Sequence, residues 1–284
     1  MVTLNDYAGL KPAWCPGCGN FGILAALKKA LIDLNLPPYQ VLIVSGIGQA
    51  GKLPHYLKCN TFNSLHGRAV PAAIGAKIAN HQLTVIAAVG DGDGYGEGGN
   101  HWLHAMRRNH NITYLVHDNR VYALTRGQVS PTSDAGMVSK TIPEGASQPL
   151  NPLLLAIASD ASFVARGFSG EIEHLAGLIK QAILHDGFSF LDILQPCVSF
   201  NHVNTQEWYS KRIYKLEEDK GYDLFNKITA FERAQQWGDK IPIGIIYRNN
   251  RPAFEQGLSV IHTTPLAKQR FDSKKLEKLL TTFE

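Results

Sequence analysis

Residues 84–122, TVIAAVGDGDGYGEGGNHWLHAMRRNHNITYLVHDNRVY, leave few folds open to this chain. Val85 to Val89 is a continuous apolar run of the kind a strand buried on both faces requires. It stops at Gly90-Asp91-Gly92-Asp93-Gly94, an acidic turn whose glycines let backbone N–H groups approach an anion, with a downstream helix start adding favourable electrostatics. Two carboxylates facing a phosphate repel it unless a hard cation lies between them, and Mg²⁺ held by carboxylate, amide and phosphate oxygens meets that need. One crossover later a second apolar run, Ile112 to Val116, ends in Asp118-Asn119, a further source of oxygen ligands. The two strand ends read together as one diphosphate–metal site. The alternative is an ordinary turn, because Gly-Asp-Gly sequences alone carry little information.

The rest of the chain supplies the frame for that site. Trp14-Cys15-Pro16-Gly17-Cys18-Gly19-Asn20 is a tight turn leading into a helix over 21–34, with Ile23, Leu24, Leu27, Leu31 and Leu34 on one stripe. Cys15 and Cys18 therefore sit together, which suits zinc or an iron–sulfur cluster; a redox dithiol and two unrelated buried thiols are the alternatives. Val41 to Val44 is a strand that runs into a glycine-rich turn containing Gly48, Gln49 and Lys52. Residues 56–65 are polar and read as irregular. His66-Gly67-Arg68 then opens a helix of small residues over 69–79, and His66 reads either as a helix-entry residue or as a neighbour of the bound anion.

After Asn119 comes a long loop over 123–145, rich in Thr, Ser, Gly and Pro, with Arg126 and Gln128 near its start. A helix over 152–158, a strand over 162–165, a helix over 171–185 and a strand over 190–194 follow, the last ending at Gln195-Pro196-Cys197. Strands alternating with helices imply an α/β, doubly wound parallel sheet covered on both faces. Lys52, Asp91, Asn119 and Cys197 all follow carboxyl ends of strands, where such sheets place their ligands. Residues 1–200 read as the α/β unit, and 201–284 as a polar C-terminal extension that packs on the core or on a partner, with one apolar segment at 241–246.

Composition excludes several classes. In 284 residues of 44% apolar content no segment is long enough to span a membrane, and the first residues have neither a basic head nor an apolar stretch, so a cytoplasmic location is expected. A net charge of +4 with interspersed signs argues for neither nucleic acid nor anionic lipid. Four cysteines are too few for a disulfide scaffold.

Six motifs in order, WCPGCGN, SGIG with a following Lys, LHGRAVPAAIGAK, GDGDGYGEGGNH, DNRVYALTRGQVSPT and LDILQPCVSFN, resemble the β subunit of 2-oxoacid:ferredoxin oxidoreductases over roughly residues 11 to 260. The resemblance implies the thiamine diphosphate-binding fold, with Asp91, Asn119 and the Val121 carbonyl as Mg²⁺ ligands, Gly90, Gly92 and Asp93 in the diphosphate loop, and Gly48, His66 and Gly67 around the cofactor. It implies that Lys52, Leu124 and Arg126 stand near the thiazolium and the incoming 2-oxoacid; the family often has Lys at the Arg126 position, which keeps the charge but not the geometry. It also implies a 4Fe-4S cluster. Cys15, Cys18 and Cys197 match ligand positions, Gln49 stands where the family often has a further cysteine, and Cys59 is the remaining thiol, expected as the fourth ligand.

Thiamine diphosphate supplies a carbon nucleophile and an electron sink on loss of CO₂, a cluster takes the electrons singly, and coenzyme A takes the acyl group. One α/β unit is half of such a cofactor cleft. An α subunit is expected to complete it as a heterodimer, with ferredoxin as electron acceptor and 2-oxoglutarate favoured over pyruvate as substrate. The readings of other classes are a non-redox thiamine diphosphate decarboxylase or synthase subunit, and a zinc-stabilised binding module with a degenerate nucleotide site.

Overall fold

Most strands of this chain are apolar on both sides, and the architecture follows from the need to cover both. The structure, a computed structural model, describes residues 1–261 and 263–283. Its strands are β1 (Val41–Ser45), β2 (Asn60–Asn63), β3 (Thr84–Gly90), β4 (Thr113–Asp118), β5 (Val121–Tyr122), β6 (Gln128–Val129), β7 (Phe163–Phe168), β8 (Ser189–Leu194), β9 (Ile213–Lys215) and β10 (Ile241–Arg248). Eight of them make one sheet in the order β2-β1-β3-β4-β8-β7-β10-β9, and β5 and β6 form a separate antiparallel hairpin. Within the large sheet every pairing is parallel except β10 against β7.

Helices α1 (Asn20–Asp33), α2 (Ala69–Ala79), α3 (Gly99–Arg108), α4 (Pro152–Ala158) and α5 (Ile172–Leu184) divide between the two faces. On one face Leu27 and Leu31 of α1 and Leu178 and Ile179 of α5 pack with Ile43, Ile86, Leu115 and Leu191. On the other, Val70 and Ala73 of α2, Trp102 and Met106 of α3, and Leu153 and Ile157 of α4 pack with Val85, Tyr114, Val116 and Phe190. Neighbours along a strand, Val85 and Ile86, Tyr114 and Leu115, Phe190 and Leu191, thus enter opposite cores, as the two-residue period requires.

Two expectations change. Within the stretch read as irregular, 60–63 is the edge strand β2, exposed at all four positions, so no apolar alternation marks it. Its polar side chains serve the sheet instead: Asn60 Nδ2 donates to the Tyr39 and Val41 carbonyls, and Asn63 Nδ2 to the Ser45 hydroxyl and the Gly51 carbonyl. Beyond residue 201 the chain contributes β9 and β10 to the same sheet, with Ile241 and Ile243 wholly buried. Because β10 runs antiparallel to β7, the sheet is mostly rather than wholly parallel; strand direction depends on where the chain returns from, which a local apolar pattern does not encode.

The strand order also fixes where ligands bind. After β1 the chain moves outward to β2 and then returns through α2 to β3 on the other side of β1. The loops leaving β1 and β3 therefore diverge and open a crevice at the carboxyl edge, the topological switch point of an open α/β sheet. Among the described residues no helix is long and apolar enough to cross a membrane.

Candidate active site

The loops that leave β1, β3 and β4 close around a recess of about 490 Å³ whose walls include Gly48, His66, Gly90, Asp91, Asn119 and Val121. Asp91, the residue after β3, is 1% exposed, and its Oδ2 accepts hydrogen bonds from Ser130 Oγ at 2.5 Å and Thr132 Oγ1 at 2.6 Å. Thr132 Oγ1 also lies 2.8 Å from Asp118 Oδ1, so one hydroxyl joins two buried carboxyl groups. Burial pushes the Asp91 carboxyl above its ordinary range, opposed by the Ser130 and Thr132 hydroxyls and the Gly92 N–H. Asp118 is pushed well up by burial and by the nearby Asp192 and Asp91 carboxyls. A carboxylate in such surroundings is kept ionised most readily by a cation beside it.

In the link between β4 and β5, Arg120 takes a left-handed conformation (φ +62°) between Asn119 and Val121. The kink brings Asn119 and Val121 onto one wall of the recess, where Asn119 Oδ1 accepts from the Val121 N–H at 3.0 Å and keeps a lone pair for a second partner. The Arg120 side chain turns away to Asp134 at 2.8 Å and stacks over Trp237 at 4.3 Å.

Asp93 does a different job from Asp91. Its Oδ1 accepts from the Gly67 N–H at 2.7 Å and lies 2.5 Å from His66 Nδ1, which ties the β3 turn to the entry of α2. Its Oδ2 is buried without a hydrogen-bond partner among the described residues, and a Cβ on Gly46 would stand 1.7 Å from it. Only glycine lets the β1 turn come this close. Burial raises the Asp93 carboxyl, opposed by Gly67 and His66. Gly92, which opens a π-helical turn to Glu97, is packed under Tyr122, whose ring a Cβ would meet at 2.2 Å. At Gly48 and Gly90 an added Cβ would meet nothing within 4 Å, so these positions border open space.

The recess gathers Gly48, His66, Gly90, Asp91, Gly92, Asp93, Asn119, Val121 and Leu124, with Leu124 45% exposed at its rim. Lys52 and Arg126 do not line it. Lys52 is half-buried on the 3₁₀ turn Ala50–Tyr56, and Arg126 is exposed with φ +78° in the turn between β5 and β6. Among the described residues neither side chain makes an ion pair or hydrogen bond. Ser130 and Thr132 carry no mark in the sequence: they stand within a polar loop where hydroxyls are commonplace, and only the fold-back of that loop aims the two at Asp91.

A second recess of about 350 Å³ holds Cys15, Cys18 and Cys197 and shares Gln49, Asn119 and Ala123 with the first. The Cys18 N–H donates to the Cys15 carbonyl at 3.0 Å, and the Gly19 N–H to the Pro196 carbonyl at 3.2 Å, which straps the cysteine turn to the end of β8. Ser199 Oγ donates to Cys15 Sγ at 3.2 Å, and Trp14 Nε1 to the Gln49 carbonyl at 2.9 Å. Burial, with Cys197 and Cys15 close by, pushes the Cys18 thiol up. Cys59 is not brought to this recess; it packs against the α1 side of the core, where burial raises its thiol to about 11. Among the described residues no three His, Cys, Asp or Glu side chains converge as a site for a metal ion. Asp91 and Asp93 line the first recess beside Asn119 and Val121, and three thiols line the second.

The family model for the C-terminal TPP-binding domain of thiamine pyrophosphate enzymes matches residues 44–193, and the model for the C-terminal part of the pyruvate ferredoxin oxidoreductase beta chain matches 197–263. The chain is 46% identical to the 2-oxoacid:ferredoxin oxidoreductase subunit beta of Saccharolobus solfataricus, over 85% of this chain and 84% of the relative. It belongs to the β subunits of the 2-oxoacid:ferredoxin oxidoreductases. The β subunit of 2-oxoacid:ferredoxin oxidoreductase 1 of Aeropyrum pernix, also 46% identical, matches over 83% of this chain and 77% of its own length. A solved 2-oxoglutarate:ferredoxin oxidoreductase of Magnetococcus marinus, with 2-oxoglutarate, coenzyme A and succinyl-CoA bound, superposes with a TM-score of 0.90 at 35% identity, covering 98% of this chain and 96% of that one. The recess of this β subunit fits a diphosphate–metal group by the chemistry of its lining: the buried Asp91 carboxyl, the Asn119 amide and Val121, with Gly48 and Gly90 bordering open space.

Proposed function

We propose that this chain grips the diphosphate end of thiamine diphosphate through Mg²⁺, and that the other half of the cleft comes from an α subunit, for coenzyme A-dependent oxidative decarboxylation of a 2-oxoacid, 2-oxoglutarate above pyruvate, with ferredoxin as the electron acceptor. The observation that carries this reading is the Asp91 carboxylate, buried at the switch point and clamped through one oxygen by Ser130 and Thr132. In this reading Asp91, Asn119 Oδ1 and the Val121 carbonyl are the protein ligands of Mg²⁺, with phosphate oxygens and water as the rest. Bound thiamine diphosphate supplies the carbon nucleophile and the sink for the electrons released with CO₂.

The chain's own residues position and shield. Gly48 and Gly90 leave room for the cofactor, and Leu124 on the rim limits water. Asp93 serves by fixing His66, Gly67 and the β1 turn to one another. Lys52 and Arg126, two cations without side-chain partners among the described residues and on turns beside the recess, are assigned to the carboxylate of the incoming acid. Cys15, Cys18 and Cys197 are assigned to an iron–sulfur cluster that takes electrons one at a time. The preference for 2-oxoglutarate draws support from the Magnetococcus marinus enzyme, which carries that acid.

Asp91→Asn tests the reading, since it keeps the shape of the side chain and removes its charge. In calorimetric titration of the complex with the α subunit at saturating Mg²⁺, thiamine diphosphate affinity should fall by more than the ~10–100-fold typical of residues that only support a metal ligand. Affinity equal to wild type would refute it. Ferredoxin reduction assayed across a panel of 2-oxoacids with coenzyme A decides the substrate.

A further inference from the structure

We propose that the cysteine recess holds its cluster by three thiolates, Cys15, Cys18 and Cys197, and that Gln49, not Cys59, faces the fourth iron on the side of the cofactor recess. The proposal rests on the cluster reading above and concerns how this chain completes the ligand set.

Sheet topology rules Cys59 out. β1 and β2 are parallel with Leu42 opposite Asn60, so Cys59 stands level with Val41, at the amino end of β1. The turn bearing Gln49 leaves the carboxyl end of β1 after Ser45, and Cys197 leaves the same edge after β8. At about 3.3 Å per residue the length of β1 alone separates the two edges by roughly 13 Å. Cys59 could cross that gap only by unpairing β2 from β1, a ladder of four residue pairs reinforced by the Asn60 and Asn63 side chains. Its elevated thiol pKa, about 11 from burial, is that of a core thiol away from cations.

Gln49 is held where a ligand belongs. Its carbonyl is fixed by the Trp14 indole at 2.9 Å, it is half-buried, and its carboxamide has no hydrogen-bond partner among the described residues. It is one of three residues, with Asn119 and Ala123, common to the walls of both recesses. The corner without a thiolate is therefore the one turned toward the cofactor. A neutral amide oxygen is a poor ligand for iron in a sulfide cluster compared with a thiolate, so this iron exchanges more readily than the other three.

Mild oxidation exposes the difference. Ferricyanide removes one electron from [4Fe–4S]²⁺; the iron without a thiolate leaves as Fe²⁺, and [3Fe–4S]⁺ remains, with its own EPR signal. In the complex purified anaerobically with the α subunit, ferricyanide should produce that three-iron signal in wild type and in Cys59→Ser, which should keep the full iron and sulfide complement. Gln49→Cys should lose the signal while melting at the wild-type temperature, and Cys197→Ser should lose iron outright. Iron loss from Cys59→Ser at an unchanged melting temperature, or equal resistance of wild type and Gln49→Cys to ferricyanide, overturns the proposal. Absence of iron and sulfide from wild type itself defeats the underlying cluster reading, and this one with it.

Discussion

The two recesses share a wall yet are built in opposite ways. Around Asp91 the polar groups are held by side chains: Ser130 and Thr132 clamp the carboxylate, Thr132 reaches on to Asp118, and Asp93 joins His66 to Gly67. Around the cysteines the main chain does most of the holding, through Cys18 to Cys15 and Gly19 to Pro196, and the sulfurs receive one hydrogen bond from Ser199 and a longer contact from Gln195. The first arrangement stores its specificity in buried charge, where each removed partner leaves a desolvated group behind. The second stores it in chain geometry, and tolerates side-chain change so long as the thiols keep their places.

The largest effect expected from this contrast is at Gly46. Gly46→Ala drives a methyl into the Asp93 carboxyl, which cannot retreat while Gly67 and His66 hold it. Overpacking of this kind costs about 1–3 kcal/mol, so the melting temperature should fall together with thiamine diphosphate affinity, measured by calorimetry, while iron content is retained. Equal loss of iron would show that the two recesses are not independently built.

Thr132→Val is the intermediate case. The Thr132 hydroxyl lowers the raised pKa of Asp91, so its removal moves that pKa further up. Metal binding needs the ionised carboxylate, so affinity is present above the folded pKa and is lost as pH falls through it; in Thr132→Val the loss should begin at a higher pH than in wild type. Mg²⁺ and thiamine diphosphate titrations between about pH 5 and 8 check this, and superimposable profiles would argue that the hydroxyl clamp has no electrostatic role.

The smallest effect belongs to Trp14→Phe. It removes the bond to the Gln49 carbonyl but keeps an aromatic ring between Phe21 and Tyr56. A stability loss of about 0.5–1.5 kcal/mol in denaturant titrations is expected, with reduced iron retention and cofactor affinity within a factor of about two. A larger change in cofactor affinity would mean that Gln49 couples the two sites through their common wall.

Much of this molecule could be read from local pattern, because the strands at its centre are short apolar runs ended by glycine or acid and their period of two serves both faces. Residues 85–89 lie within β3 and 113–116 within β4, and Asp91 and Asn119 line one recess for the reason that parallel strands end on one edge. Polar edges and long-range returns were not legible. β2 has no buried face to leave a signature, and the antiparallel direction of β10 depends on a path of more than seventy residues after β7.

Residue type and spacing within one or two elements were enough to mark the fold class and the acidic glycine turn that follows β3. Only the tertiary structure decided which loops meet. It brought Ser130 and Thr132 onto Asp91 and diverted Asp93 to structural hydrogen bonds. It also assigned Cys59 and Gln49 to opposite edges of the sheet. Proximity in a sequence is a matter of chain length, whereas proximity at a sheet edge is a matter of strand direction and order, and those are settled by packing of the whole chain.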